Sequence, residues 1–325
     1  MKEVYFIIPE FDHSITGGTL YDNNLALELK KHFISITEVR VHYKINTILL
    51  HKKINKIPKN SSILIDGYLA NKIRTRVIRR LNIVIHHPCS MEVSKNQMSN
   101  IHLYLSERKA FNTAKSLITV SKTMKKVLSK YLDSYKEICV AYPGIDKRFY
   151  KQKIDKHSKN ILSVGNVIPR KGYHILIEAL QRVSEDWTLT IVGDYEMDRE
   201  YYDNLKKLII KNKFQDRIKF KGSMKHAEII AEIKKSKFFI LLTKYEGFGM
   251  SIAECAAAGL EIITTDLPVL REVLGNYSVD FVDLGNLDNI GNKINEKLLR
   301  SSVDDKNQDL IYNWSHTAKK IKQRL

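Results

Sequence analysis

Cysteine and proline are scarce in this chain, and its acidic residues are fewer than its basic residues. The 325 residues include 3 cysteines and 6 prolines, with 43% hydrophobic residues. The cysteines, Cys89, Cys139 and Cys255, are widely spaced and form no Cys-x-x-Cys pair, which argues against a disulfide framework or a zinc site and predicts buried free thiols. The low proline content and the apolar fraction predict a folded chain without long disordered tails.

Long hydrophobic stretches are also missing from the sequence. The longest apolar runs, such as FFILL at 238–242, are far shorter than a bilayer span. The N-terminal KEVYFIIPEFD is interrupted by Pro9 and by acids, and it is too short for the apolar core of a signal peptide. We therefore expect a cytoplasmic protein, which a peripheral attachment would hold on the inner face of the membrane.

The excess of basic residues is uneven along the chain. The net charge is +18, and residues 51–150 carry 20 Lys and Arg against 6 Asp and Glu, a balance of +14. Such a field predicts an anionic partner: a membrane leaflet, nucleic acid or a polyanionic glycan. Lysine enrichment from an AT-rich genome is the alternative. We expect no nucleic-acid partner, because the chain has no RRM, KH, helix-turn-helix or zinc signature.

Two basic segments inside 51–150 have apolar residues at helical spacing, NKIRTRVIRRL (71–81) and KTMKKVLSKYL (122–132). Each fits a helix that covers a sheet and exposes its charged face to water. Each also fits a face that lies on anionic lipid. The first contains Arg74, Arg76, Arg79 and Arg80.

Short apolar strands alternate with helical patterns along the whole chain, which predicts parallel α/β architecture. Strands are expected near 2–8, 34–43, 61–66, 82–86, 116–121, 137–142, 159–164, 187–192, 217–221, 237–242, 260–264 and 279–283. Two sets of six predict two doubly wound domains, at 1–152 and 153–325, joined through the polar stretch KQKIDKHSKN (151–160).

A strand followed by a glycine-rich turn and a small-residue helix carries two glutamates in YEGFGMSIAECAAAG (245–259). Glu246 is expected near the end of the strand, and Glu254 about two turns into the helix. Carboxylates accept hydrogen bonds from sugar hydroxyls, and the free N–H groups of a helix start bind anions. A capped helix with two solvated acids is the alternative interpretation.

Several segments in the second half resemble family 4 of the retaining, nucleotide-sugar-dependent glycosyltransferases. They follow one another in the family's order: NILSVGNVIPRKGYHILIEAL (160–180), WTLTIVGD (187–194), IKFKGSM (218–224), YEGFGMSIAECAAAGLEIITTD (245–266) and YNWSHTAKKI (312–321). The first half matches more loosely, through PEFDHSITGG and IVIHHP. The resemblance implies the GT-B fold, in which two Rossmann-like domains face a central cleft and the final helix crosses back to the first domain.

The resemblance also implies roles for residues of the second half. Lys171, before Gly172, would face the diphosphate of the donor. The family usually has an arginine where Asn166 stands, and Arg170 is the candidate to replace it. Glu246 would act near the transferred sugar and Glu254 on the ribose. The other expected donor contacts are Gly193, Gly222, Met224, Gly247, Phe248, Gly249, Met250 and Ser251. A solvated surface lysine and simple packing of Met224 are the alternatives.

Fewer residues of the first half can be matched. Gly17 and Gly18 form a loop after the first strand that can contact phosphate or the reacting centre, although such a pair also makes ordinary flexible turns. His86 and His87 end the strand NIVIHH, and one of them is expected near the donor sugar; a packed, hydrogen-bonded histidine is the alternative. Asp12 and His13 are candidates for acceptor contact.

Together these features predict a hexosyltransferase that uses an NDP-sugar donor and a glycan or lipid-linked acceptor in bacterial cell-surface polysaccharide or glycolipid synthesis. No metal or other cofactor is expected, because no Asp-x-Asp pair follows a strand; Asp304 and Asp305 fall on a helical surface. A catalytically silent GT-B binding protein and a sugar-nucleotide epimerase are the alternatives. Family members have proline where Glu261 stands, a change that the sequence does not explain.

Overall fold

The computed structural model describes residues 3–12, 16–32, 35–73, 81–92, 97–300 and 312–325. It divides into two compact units, Met1–Gly144 with Tyr312–Leu325, and Ile145–Ile311. The predicted domain boundary, between residues 152 and 153, lies later in the sequence than the observed one between Gly144 and Ile145. The backbone N–H groups of Lys151 and Gln152 donate to the carbonyls of Ala257 and Ala258, so this stretch of the predicted linker is already part of the second unit.

The first unit is built on a six-stranded parallel sheet in the order β2-β1-β3-β4-β5-β6. Its strands are β1 (Val4–Glu10), β2 (Ile36–His42), β3 (Ser62–Asp66), β4 (Leu81–Ile85), β5 (Ser116–Thr119) and β6 (Ile138–Val140). Its helices are α1 (Gly17–Lys31), α2 (Thr47–Asn55), α3 (Gln97–Thr113), α4 (Lys122–Ser129) and α11 (Trp314–Lys322).

The second unit repeats this plan with the sheet order β12-β11-β10-β7-β8-β9. Its strands are β7 (Asn160–Val164), β8 (Thr188–Val192), β9 (Ile218–Phe220), β10 (Phe238–Leu241), β11 (Glu261–Thr265) and β12 (Val279–Val282). Its helices are α5 (Tyr173–Ala179), α6 (Arg199–Lys211), α7 (His226–Lys234), α8 (Met250–Ala257), α9 (Pro268–Leu274) and α10 (Leu287–Leu299).

The central strands are buried along their length, which explains their continuous apolar sequences. All five residues of β3 and of β4 are buried, as are the four of β10. Strands covered by helices on both faces have no solvated side to alternate with. All twelve predicted strands are present, and the predicted α/β class of two doubly wound units is confirmed.

The C-terminal helix α11 packs within the first unit. Ala318 and Ile321 on this helix are fully buried. Trp314 lies edge-on to Tyr21 of α1, with ring centroids 5.3 Å apart. It also lies so close to Gly144 that a Cβ there would collide with the Trp314 backbone and ring. The last turns of the chain therefore complete the hydrophobic core of the first unit.

Glu261, which the sequence left unexplained, belongs to a buried ion-pair cluster. Its Oε1 lies 2.8 Å from Nζ of Lys297, and the same Nζ lies 2.8 Å from Oδ2 of Asp280. The Lys297 side chain is 2% exposed. Burial of an ammonium is costly unless it is paired, so the acid at the start of β11 neutralises the lysine that α10 places against it.

The three cysteines are free thiols, as predicted. Cys139 and Cys255 are buried, whereas Cys89 is only partly buried. Among the described residues, we find no helix of the length and apolar character that crossing a membrane requires.

Candidate functional site

The loops that follow β7 and β10 meet at one edge of the second sheet. These strands are neighbours, yet the chain continues to β8 on one side and to β11 on the other. Ligands of doubly wound sheets bind at such a reversal. The N–H of Lys244 donates to the carbonyl of Arg170 over 2.8 Å. Gly172 has a φ of +70°, and a Cβ there would lie 2.0 Å from the Leu242 carbonyl oxygen.

This contact brings Lys171 and Arg170 onto Glu246. Nζ of Lys171 lies 2.6 Å from Oε1 of Glu246, and Nη1 of Arg170 lies 3.4 Å from the same oxygen. Arg170 Nη1 also donates to the Tyr245 carbonyl over 2.5 Å. The Lys171 and Glu246 side chains are 12% and 9% exposed. Two cations face one carboxylate, and the surplus positive charge suits an anionic ligand.

Burial and pairing act on these ionisable groups in opposite directions. Burial by itself would raise the pKa of Glu246. Lys171 and Arg170 lower this pKa by more than burial raises it, so the net shift is downward. Burial lowers the pKa of Lys171, and Glu246 opposes that shift. The neighbouring opposite charge stabilises each ionised form, so Glu246 is held as a carboxylate beside its cations.

Glu254 is buried, with 8% of its surface exposed. Its carboxyl makes no hydrogen bond or ion pair with any of the residues that the structure describes. Burial, and second the charge of Asp146, raise the pKa of Glu254 to about 8. It is the fifth residue of α8, which places it just over one turn from the helix start rather than the predicted two. The helix begins only at Met250, because the glycine-rich residues before it form a turn.

The glycine-rich turn before α8 has a packing reason for its composition. Gly249 precedes the helix with a φ of +88°, and a Cβ there would lie 2.7 Å from Cδ2 of Leu270. Phe248 is 4% exposed, so it anchors the turn in the core. Met250 and Ser251 begin α8, whose first turn has no side-chain cap. Uncapped N–H groups are available to a ligand oxygen.

The remaining predicted glycines lie at neighbouring strand ends. The N–H of Gly193, after β8, donates to the carbonyl of Gly222, after β9, over 2.9 Å. Gly193 has a φ of +151°, and a Cβ there would lie 2.1 Å from the Gly165 carbonyl oxygen. Met224 is partly buried in the turn that leads to α7. Close backbone approach thus brings the ends of β7, β8 and β9 together.

Asn166 does not join the carboxylate and its cations. Its Nδ2 lies 3.5 Å from Sδ of Met197, and its Oδ1 accepts from the Asp194 N–H at 3.4 Å. Arg170 supplies the second cation beside Glu246, which settles a direction that the sequence left open.

In the first unit, His86 lies against two buried carboxylates. It follows β4 directly, Asp66 ends β3, and Asp22 lies on α1. Nε2 of His86 is 3.2 Å from Oδ1 of Asp22 and 3.8 Å from Oδ2 of Asp66. We call these three residues the histidine cluster. Carboxyl ends of adjacent parallel strands meet at one edge of the sheet, which explains why distant residues converge here.

Gly17 and Gly18 form the first turn of α1 rather than a loop, because the hydroxyl of Thr16 accepts from the Thr19 N–H and caps the helix. The absence of a side chain at Gly18 leaves room for the histidine. A Cβ there would lie 2.9 Å from Cδ2 of His86.

His87 is directed elsewhere. Its Nε2 lies 2.8 Å from Oε1 of Glu92, so of the two candidate histidines only His86 joins the carboxylates. Asp12 pairs with His42 over 2.9 Å. His13, Asp304 and Asp305, like Arg74, Arg76, Arg79 and Arg80, lie outside the described residues.

Sequence reasoning missed Asp22 and Asp66. Asp66 could have been found as the single carboxylate at the end of the apolar strand SILID. The signal for Asp22 was weaker, because it was only a carboxylate four residues after Gly18 on an amphipathic helix. The three ligand-type atoms of the cluster lie within 4.8 Å of one another. The Tyr68 N–H donates to Oδ1 of Asp66 and His86 bonds Asp22, so we interpret the cluster as a hydrogen-bonded group rather than as metal ligands.

The sequence of this chain is similar to those of known glycosyltransferases. An uncharacterized glycosyltransferase of Methanocaldococcus jannaschii is 24% identical over 95% of this chain and 93% of its own length. The O-antigen chain mannosyltransferase of Salmonella typhimurium is 25% identical over 62% of this chain, and the match spans only 56% of that protein.

Solved structures show the same fold. Sucrose-phosphate synthase from Thermosynechococcus elongatus superposes with a TM-score of 0.82 at 14% identity, covering 99% of this chain and 98% of that one. Anabaena HepE, in complex with UDP and glucose, superposes with a TM-score of 0.72 at 18% identity, covering 100% and 95%. The predicted GT-B fold is confirmed. The model of the family described as glycosyl transferases group 1 matches residues 145–316. The chain belongs to this family and is a glycosyltransferase.

Proposed function

We propose that this enzyme transfers a hexose from an NDP-sugar to a glycan or lipid-linked acceptor. One observation carries the proposal: Lys171 and Arg170 converge on Glu246, and Glu254, whose carboxyl has no partner among the described residues, lies on the helix that follows the same turn. Cations and a carboxyl in this arrangement suit a ligand with a diphosphate at one end and hydroxyls at the other.

Each group then has a chemical task. Lys171 and Arg170 take up the charge of the leaving diphosphate, aided by the N–H groups at the start of α8. Glu254 accepts hydrogen bonds from the ribose. Glu246 holds the lysine and lies near the transferred sugar.

We further propose membership of the retaining family 4, with attack of the acceptor on the face that the diphosphate leaves. The donor C1–O bond breaks, a C1–O bond to the acceptor forms, and the acceptor proton passes to the leaving phosphate oxygen.

The relatives support a role in building surface polysaccharide or glycolipid. They include the O-antigen chain mannosyltransferase and a GDP-mannose:cellobiosyl-diphosphopolyprenol alpha-mannosyltransferase of Xanthomonas campestris. A panel of UDP-, GDP- and ADP-sugars, assayed for hydrolysis and for transfer, tests the proposal. Release of NDP from one donor is expected. Binding without turnover would favour a silent binding protein, and conversion of the sugar without NDP release would favour an epimerase.

We propose that transfer needs no divalent metal, since the basic side chains and the amide groups of α8 supply positive charge where the diphosphate would leave. Activity is expected to persist in excess chelator. Loss of activity on chelation, with recovery on adding Mg²⁺ or Mn²⁺, would contradict the proposal.

We also propose that the first unit attaches to anionic lipid, as the basic balance of residues 51–150 suggests. Exposed apolar and basic side chains share the outer face of two helices. On α2, Ile48 and Leu49 are 62% and 50% exposed, and on α3, Ile101 and Leu105 are 58% and 54% exposed. Exposed lysines accompany both pairs at Lys52, Lys53 and Lys109. Apolar insertion beside basic residues is the pattern of interfacial helices.

Sedimentation with vesicles tests this attachment. The protein is expected to bind vesicles that contain anionic lipid and to ignore neutral ones, more weakly as salt rises. Ile101→Glu with Leu105→Glu should abolish binding. Ile210→Glu is the matched control, since Ile210 is 60% exposed on the lysine-bearing helix α6 of the second unit. Failure of the wild type to sediment at low salt would favour a soluble acidic glycan as the partner instead.

A further inference from the structure

The imidazole of His86 is held on several sides by the first unit. Gly18 lies against its Cδ2 edge, and Tyr21 packs edge-on with ring centroids 4.9 Å apart. Tyr21 itself is fixed by its hydroxyl, which donates to the Ala141 carbonyl over 2.9 Å. The side chain of His86 is 15% exposed. The ring is therefore positioned by its surroundings yet not sealed from solvent.

The two ring nitrogens of His86 differ in their partners. Nε2 lies next to Asp22 and Asp66, whereas Nδ1 makes no hydrogen bond to any residue within the described ranges. An imidazole with both nitrogens protonated is a donor at each end. One end of this ring is directed to the carboxylates, and the other is left for a group that the described residues do not provide.

The two carboxyls lie on the same nitrogen of the histidine, with Nε2 3.2 Å from Asp22 and 3.8 Å from Asp66. Asp22 is fully buried, and its Oδ2 has no hydrogen-bond partner among the described residues. Burial first, and then the Asp22 charge, raise the pKa of Asp66 well above its usual range. Burial next to another carboxyl therefore favours the protonated form of Asp66.

The two carboxyls of the histidine cluster favour the protonated form of His86. Burial lowers the pKa of His86, but Asp22 and Asp66 outweigh burial, so its net shift is upward. Among the described residues, the titratable groups that face the ring are Asp22, Asp66 and the phenol of Tyr21. Asp22 is the nearer carboxyl and has a larger effect on the ring than Asp66 does.

We propose that Asp22 and Asp66 are positioning residues that hold His86 as a protonated donor, with Nδ1–H directed at an oxygen of the acceptor. This inference rests on the proposed transfer from an NDP-sugar. Asp22 supplies the charge and Asp66 the hydrogen-bonding frame, because Asp66 also accepts from the Tyr68 N–H over 2.7 Å.

Replacing each carboxyl with an amide separates these two tasks. Asp66→Asn keeps an acceptor for Tyr68 and carries no charge, as the protonated acid does, so it should lower kcat less than Asp22→Asn does. Asp22→Asn removes the charge, so kcat at pH 8 should fall by up to about 10-fold while the Kd for the nucleoside diphosphate is unchanged. The control is Glu137→Gln, an exposed carboxylate of the same unit that pairs with Arg324.

The pH dependence distinguishes positioning from a merely structural role. Removing Asp22 lowers the pKa of His86, so the alkaline fall in kcat should move to lower pH by about one unit, the size that a lost neighbouring charge produces. The His86 ring, observed by NMR in the full chain, should titrate at lower pH by the same amount.

An unshifted His86 titration in Asp22→Asn would overturn the proposal, as would a greater loss in Asp66→Asn than in Asp22→Asn. A rise in the wild-type melting temperature with Zn²⁺ that both variants abolish would also overturn it, in favour of a cation site. The NMR titration needs no donor, so failure of the proposed function, seen as no NDP-sugar turnover by the wild type, is distinguishable from failure of this inference.

Discussion

The two units of this glycosyltransferase share a sheet plan but differ in the charge that they place at its edge. In the second unit the candidate side chains follow β7 and β10, the two strands that flank the reversal of the chain. In the first unit they follow β1 and β3, which flank the corresponding reversal, and the neighbouring strand β4. The second unit gathers two cations around one carboxylate, and the first gathers two carboxyls around one histidine. The fold fixes where a site forms, and the loops decide whether it suits a phosphate or a hydroxyl.

The same carboxylate-to-amide change should therefore have different costs in the two units. Glu246→Gln leaves the largely buried Lys171 and the partly exposed Arg170 without their counter-charge, and should lower the free energy of unfolding of the second unit by about 3 kcal/mol. Asp22→Asn removes one of two adjacent carboxyls and should cost the first unit less than about 1 kcal/mol. Each free energy is measured by urea unfolding followed by tryptophan fluorescence.

The chain offers a separate probe for each unit, because its two tryptophans, Trp187 and Trp314, lie in different units. Trp314→Phe leaves the probe in the second unit for Glu246→Gln, and Trp187→Phe leaves the probe in the first for Asp22→Asn. Equal losses from the two substitutions would remove the distinction between the sites.

A second buried ion pair sharpens the comparison inside the second unit. Glu261→Ala leaves Lys297 with Asp280 alone, so the cost should be about 2 kcal/mol, below the usual loss for a broken buried pair. Glu261→Ala combined with Lys297→Met should recover most of it. Neither variant should alter the Kd for a nucleoside diphosphate, because this pair lies away from Glu246 in the buried start of β11. A weakened Kd would show that the two pairs are not independent.

A further difference within the second unit is a pH dependence from Glu254. Its pKa of about 8 in the folded chain lies above the unfolded value, so the folded state holds the extra proton between about pH 4.5 and pH 8. Stability should therefore fall as pH rises through this window, by about 1.4 kcal/mol between pH 6 and pH 7. Glu254→Gln, measured with Trp187 as the probe, should lose this slope. Parallel wild-type and Glu254→Gln profiles would contradict the assignment.

Strand positions, and the strand ends on which Lys171 and Glu246 lie, were largely readable from the sequence because their signals are local. Each apolar run with its following glycine marks a buried parallel strand, and YEGFG with the lysine of PRKG lies at strand ends that the topology makes neighbours. The direction of Arg170 was not readable, because it depends on the approach of Gly172 to the Leu242 carbonyl.

The features that the sequence did not reveal depend on contacts between residues far apart in the chain. Asp22, Asp66 and His86 come from three separate elements and form a cluster only once β1, β3 and β4 align. Glu261 finds its reason in Lys297, a lysine in a helical pattern that gives no sign of burial. Local pattern predicts elements well, whereas the pairing of buried charges is decided by tertiary packing.

Lys171 is expected to belong to a nucleotide-sugar site. Titration calorimetry with nucleoside diphosphates and NDP-sugars measures this directly. A charge-assisted hydrogen bond contributes about 1.5–3 kcal/mol, so Lys171→Ala should weaken binding roughly 10- to 100-fold. Lys244→Ala is the matched control, because its side chain is exposed on the neighbouring loop, and it should bind as the wild type does. Unchanged affinity in a folded Lys171→Ala protein would contradict the account.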